Sequence, residues 1–158
     1  MDVKLTKQIG IVIKKPAQFI LILFVILLIT CTGHDGKLEL IKTDRSFSDM
    51  SLEQGMQKAF IHYAADSAVL LQKNAWPIKG KLEIKASFHT LSDTGIVLTW
   101  EPLDAIMARS GDLGYTYGIY TMLDKTSTGE FMGKYVTIWK KQANGQWKFV
   151  LDCGNEGL

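Results

Sequence analysis

Residues Gly133 to Cys153, GKYVTIWKKQANGQWKFVLDC, read as one long β-hairpin. Asn144-Gly145 is the strongest short-range hairpin signal, because a type I′ turn needs φ > 0 at both central residues. The arms on either side are rich in Tyr, Val, Thr, Ile, Trp and Phe, which suit a pleated, half-buried surface. Trp139, Trp147 and Phe149 make this the heaviest apolar surface outside the N-terminal leader. A sheet built on it needs a cover, and the upstream helices can supply one.

Moving upstream, Leu113 to Leu123 is a strand. Tyr115, Tyr117, Ile119 and Thr121 share one face, and Thr116, Gly118, Tyr120 and Met122 the other. Before it, Ile96, Leu98 and Trp100 alternate with period two. Pro102 lacks an N–H for the ladder, so a bulge or bend is expected there, with the strand resuming around Asp104 to Ala108.

Earlier still the period is helical. Lys37 to Met50 carries Leu38, Leu40, Ile41 and Phe47. Ser51-Leu52-Glu53-Gln54 reads as a capping box opening a second helix, with Leu52, Met56, Ala59, Phe60 and Tyr63 on one stripe. Ala68 to Leu71 is a short buried strand. Asn74 to Gly80 is a loop fixed by Pro77. Lys81 to Leu91 is a third helix, stopped at Ser92-Asp93-Thr94-Gly95. Helices first and four antiparallel strands after is an α+β order, with the helices packed on one face of the sheet.

The chain has 158 residues, 47% apolar and 22% charged, the composition of one globular domain. Its net charge of +2 is unevenly placed. Lys4, Lys7, Lys14 and Lys15 outnumber Asp2 in residues 1–30, and the remainder is slightly acidic. No clustered excess of Lys and Arg remains for a nucleic-acid surface, so no nucleic-acid partner is expected.

Phe19 to Ile29, FILILFVILLI, is unbroken apolar sequence behind Lys14-Lys15. It is shorter than the ~20 residues a spanning helix needs. That is the n-region and h-region pattern of a signal peptide. The run ends Leu28-Ile29-Thr30-Cys31, which resembles a bacterial lipoprotein signal, with Leu three before a Cys. The resemblance implies lipid attachment at Cys31. An uncleaved N-terminal anchor and an ordinary secretory signal are the alternatives. Residues 1–30 are thus read as leader, 31–36 as a polar tether and 37–158 as the domain. The mature domain is expected outside the cytoplasm, membrane-anchored or periplasmic. Cys153 reads as a small buried residue at the end of the last strand. His34, His62 and His89 are scattered, without metal-ligand spacing, so no metal and no cofactor are expected.

Four phrases carry a further resemblance: Tyr63-Ala64-Ala65-Asp66-Ser67-Ala68-Val69-Leu70-Leu71, Pro77-Ile78-Lys79-Gly80-Lys81, Gly114-Tyr115-Thr116-Tyr117-Gly118 and Asn144-Gly145-Gln146-Trp147-Lys148-Phe149-Val150. With the element order, they resemble the nuclear-transport-factor-2-like superfamily. This group includes ketosteroid isomerases, SnoaL-like cyclases and a bacterial branch of unknown function. The resemblance covers Lys37 to Cys153. It implies a curved, mostly antiparallel, cystatin-like sheet forming a cone, helices closing one end over a pocket, and possible homodimers through the sheet. The isomerases use a carboxylate base in the strand after the second helix. The corresponding place here is Leu71, flanked by Leu70 and Gln72, so that chemistry is not expected.

Other residues could still make a site. Asp152, among apolar neighbours of the last strand, and Asp66 are candidate acid–base groups; as alternatives, Asp152 faces water and Asp66 caps a turn. Tyr117, Trp139, Trp100, Trp76 and His89 are candidate pocket residues for a flat apolar ligand, or else plain core, dimer interface or surface. Tyr117 and Tyr120 lie on opposite faces, and Tyr117 is preferred for the inner one. The leading expectation is an exported, membrane-tethered, non-catalytic domain that binds a small apolar molecule. The alternatives are an isomerase-, cyclase- or hydrolase-type enzyme using a carboxylate and a Tyr hydroxyl, and a structural or dimerisation domain.

Overall fold

A computed structural model describes residues 32–88, 95–126 and 129–157. The elements run α1 (Thr32–Gln54), α2 (Met56–Tyr63), β1 (Ala64–Leu71), β2 (Ile78–Lys79), α3 (Lys81–Phe88), β3 (Ile96–Met107), β4 (Leu113–Asp124), β5 (Gly129–Lys141) and β6 (Trp147–Glu156). The strands form one six-stranded sheet in the order β2-β1-β6-β5-β4-β3. All neighbours are antiparallel except β1 and β6, which pair in parallel. The leader with Cys31, and His89, lie outside the described residues. Among the described residues no helix is long and apolar enough to cross a membrane.

The expected cone is not formed. The sheet is mixed and open, with β2 at one edge and β3 at the other. The β3 edge is already occupied. The backbone N–H of Trp100 donates to Ser48 Oγ at 2.8 Å, and Ser51 Oγ donates to the Leu98 carbonyl at 2.7 Å. Two ion pairs, Lys37–Asp104 and Arg45–Glu101, also fasten α1 to this strand. An edge whose free backbone groups are met by a helix has no ladder left to close the sheet on itself.

Those same serines overturn the capping box. Ser51 lies inside α1, which starts at Thr32 and so includes the polar stretch read as a tether. The helix ends instead at Gly55, whose φ of 91° suits a residue without Cβ. The hairpin forms, but with a different turn. Asn144 does not have positive φ; only Gly145 does, at 82°. Gly145 N–H donates to Gln142 O and Gln142 N–H to Gln146 O, both at 2.8 Å. This is the three-residue loop built on a type I turn with glycine in the left-handed position.

The core lies between α1 and the sheet. Phe47 is its centre, with ring centroids 4.5–6.1 Å from Phe60, Tyr63, Trp100, Trp139 and Phe149. Leu40 and Phe47 of α1, Trp139 of β5 and Phe149 of β6 are all fully buried.

Candidate functional site

Two bulges decide which side chains face the helices. In β3 the register shifts between Pro102 and Asp104, where the missing N–H of Pro102 predicts it. In β6 the shift falls opposite Ile138 and Trp139, so that Val150 and Leu151 together span one step of β5. Before the bulge Trp147 and Phe149 are buried. After it Asp152 pairs with Thr137 and Gly154 with Tyr135, both buried residues of β5. Without the extra residue, strict alternation would turn Leu151 inward and Asp152 outward.

Asp152 therefore lines a cavity of about 310 Å³. Met56 and Phe60 of α2 and Phe88 of α3 form one wall; Leu98, Trp100 and Met122 form another. Tyr120, Tyr135 and Asp152 bring the polar atoms. Leu71, the residue expected from the resemblance to stand in place of an isomerase base, lines the cavity with an apolar side chain. Lys73 and Glu156, also at the cavity, pair at 2.5 Å through largely exposed side chains.

Behind the wall lies a buried polar network. Asp44, within the apolar stripe of α1, is fully buried. Tyr135 OH donates to its Oδ2 at 2.7 Å, and Trp100 Nε1 to its Oδ1 at 2.8 Å. Trp139 Nε1 donates to Thr116 Oγ1 at 2.8 Å, and Thr116 in turn bonds Asp44. Burial raises the Asp44 pKa, and the three side-chain hydrogen bonds pull it back down. Burial also raises the Tyr135 phenol, and the Asp44 charge adds to this. Tyr135 therefore stays protonated and acts as a donor.

Asp152 accepts a 2.6 Å hydrogen bond from Thr137 Oγ1. Burial pushes its carboxyl up to about 7; the Thr137 bond opposes the rise and the Asp44 charge adds to it. A carboxyl that exchanges its proton near neutral pH at a cavity wall can bind a ligand group or act as a general acid or base.

The other expected site residues fall elsewhere. Trp100 lines the cavity. Trp139 is sealed in the core beneath it. Tyr117 is on the outer face and 42% exposed, whereas Tyr120 faces the cavity. The cause is spatial. A Cβ at Gly118, between them, would meet the Glu101 carbonyl at 2.1 Å and Tyr135 at 2.8 Å. The inner face therefore needs small residues, and the outer face looks the more aromatic in sequence. Trp76 is 90% exposed, and Asp66 is exposed on the irregular stretch of β1. Cys153 is half-buried. Among the described residues no group of three or more His, Cys, Asp or Glu could hold a metal.

Sequence reasoning missed Asp44, Tyr135 and Thr137. For Asp44 a signal existed: an acid at the fourth position after Leu40 and the third before Phe47 shares their helix face.

No protein-family model and no curated protein matches the chain. Solved structures match its fold. One is a nuclear-transport-factor-2-like protein of unknown function from Pseudomonas putida, with TM-score 0.66 and 17% identity, covering 78% of this chain and 88% of that one. Another is a ketosteroid isomerase-like protein from Erwinia carotovora, with TM-score 0.62 and 16% identity, covering 75% and 95%. A cystatin-like protein of unknown function from Nostoc punctiforme has TM-score 0.59 and 21% identity, covering 76% and 90%. The chain has the nuclear-transport-factor-2-like fold.

Proposed function

We propose that this chain is an exported, membrane-tethered domain that holds a small, partly apolar molecule between its sheet and helices α2 and α3. The observation carrying the binding reading is the cavity of about 310 Å³, apolar on most sides with Asp152 in one wall. A pocket of that size and character, with few polar groups, suits a small organic ligand. The fold shared with the solved structures is compatible with this reading but names no ligand. Export and tethering rest on the sequence alone, on Phe19 to Ile29 and on Leu28 and Cys31.

Two experiments test these parts separately. A thermal-shift panel of small aromatic and alicyclic compounds should stabilise the wild type and leave a cavity-filling Leu98→Trp variant unmoved. Equal shifts in both proteins would remove the cavity from the account. Mass spectrometry of the chain expressed in a bacterium should find a diacylglycerol on Cys31; an intact N-terminus or an unmodified Cys31 would end the lipoprotein reading.

A second reading is favoured by the carboxyl near 7 in Asp152. It is an acid–base enzyme in which Asp152 moves a proton and the hydroxyl of Tyr120, at the same cavity, holds the developing charge. A homodimer also fits the outer face, where Ile106 and Tyr115 pair across β3 and β4 and Tyr117 lies two residues along. All three are exposed, at 51%, 37% and 42%.

A further inference from the structure

The polar groups of the cavity differ in what they have left to offer. Tyr135 has spent its proton on Asp44, so its oxygen can only accept. Trp100 has spent its indole N–H on the same carboxylate. Asp152 takes the Thr137 proton on Oδ2, which leaves Oδ1 with its lone pairs. Lys73 gives one N–H to Glu156 through largely exposed side chains, at the water-facing rim of the cavity. Around Asp152 the unspent valence is therefore lone pairs, with the Tyr120 hydroxyl keeping one proton to donate, and two carboxyls, Asp44 and Asp152, stand on or behind the wall. Aromatic side chains of Phe60, Phe88 and Trp100 line the rest. A ligand that meets Asp152 and Tyr135 brings hydrogens to them and would gain from a positive charge, which both carboxyls and aromatic rings favour.

We infer that the cavity selects a small aromatic or alicyclic amine, its ammonium donating to Asp152 Oδ1 and the Tyr135 oxygen and its apolar body held among Phe60, Phe88 and Trp100. This rests on the proposed binding function and names the ligand class for the same cavity. At Asp152 and Tyr135 a carboxylate or a plain carbonyl would set acceptor against acceptor, and the carboxylate would add like charge against like, leaving Tyr120 as the donor to either.

Proton linkage follows. The titratable groups in or around the cavity are Asp44 from α1, Tyr135 from β5, Tyr120 from β4, Glu101 from β3, Cys153 and Glu156 from β6, and Lys73 after β1, with the neutral Thr137 hydroxyl bonded to Asp152. Asp152 is the one among them with a carboxyl pushed up to about 7. An ammonium needs it ionised, so amine affinity rises with pH across neutrality.

The test is calorimetric titration of the full-length chain with phenethylamine, phenethyl alcohol, acetophenone and hydrocinnamate, at a pH well below neutrality and at a mildly alkaline pH. The expected result is phenethylamine binding roughly tenfold or more tighter than phenethyl alcohol at the higher pH, with its affinity falling roughly tenfold or more at the lower pH. Asp152→Asn should erase the preference for the amine while phenethyl alcohol still binds. The wild-type pH dependence judges the inference even where that variant does not fold. Tighter binding of acetophenone or hydrocinnamate, or phenethylamine binding without pH dependence, overturns the amine class. If Leu98→Trp abolishes the binding of those other compounds, the cavity reading stands without it. If no compound binds in a way that Leu98→Trp abolishes, both fall.

Discussion

Tyr135 and Asp44 lie 91 residues apart in sequence and are joined by a 2.7 Å hydrogen bond that is buried from solvent. The bond ties the first helix to the middle of the sheet and fixes the Tyr135 ring at the cavity. Asp44→Ala would strand the donors of Tyr135 and Trp100. Each buried neutral donor left unsatisfied costs about 1–3 kcal/mol. Tyr135→Phe leaves Asp44 two of its donors and should cost about 1.5–3 kcal/mol. Urea denaturation of both variants and of the double mutant checks this. Additive losses would mean that the two residues do not act together.

Stability should fall as pH rises toward neutrality. The Asp152 pKa is raised in the folded chain to about 7. Its ordinary value is about 3.9. The folded state therefore binds the proton more tightly than the unfolded one. The contribution is complete below about pH 4 and is lost as pH rises to about 7, and at most about 4 kcal/mol is involved. Asp44, raised in the same direction, adds to the trend. Asp152→Asn, which mimics the protonated form, should be more stable than wild type at mildly alkaline pH and show a flatter profile. A wild-type protein that gains stability across this window, relative to Asp152→Asn, would contradict the buried placement of the carboxyl.

Gly118→Ala should be costly although the new group is one methyl. Its Cβ would sit 2.1 Å from the Glu101 carbonyl, which is backbone and cannot swing away. A loss of about 2–3 kcal/mol is expected from overpacking of this kind. A loss below about 0.5 kcal/mol, the range of ordinary surface changes, would show that β3 and β4 lie further apart than described.

Tyr117→Ser and Ile106→Lys should weaken self-association and leave the unfolding free energy within about 0.5 kcal/mol of wild type, since both residues are exposed. Sedimentation velocity reads the first effect. An unchanged sedimentation profile in both variants removes the outer face as a dimer surface.

Much of the strand order was legible, because alternation, the Asn144-Gly145 turn and Pro102 are local signals. The parallel partnership of β1 with β6 was not, since nothing near Ala64 to Leu71 points to a strand some eighty residues later. The openness of the sheet depends on Ser48 and Ser51 reaching the β3 backbone, and in sequence Ser51 fits a cap equally well. For the site, Asp152 was legible as a residue but not as a direction. No glycine or proline marks the β6 bulge at Val150, which turns Asp152 inward to share a face with Trp139. Tyr117 was preferred over Tyr120, but the two are the same residue type on opposite faces, and alternation alone does not say which face is inner. The inner face instead required Thr116 and Gly118, where Tyr135 and the Glu101 backbone come close.

The central claim, that the cavity is the binding site, is tested most directly by NMR of methionine methyl groups. Met56 and Met122 line the cavity, whereas Met107 and Met132 do not. Titration of the methyl-labelled chain with phenethylamine and with phenethyl alcohol should shift the Met56 and Met122 signals and leave Met107 and Met132 in place. Signals of Met56 and Met122 that stay fixed while Met132 moves would contradict the account.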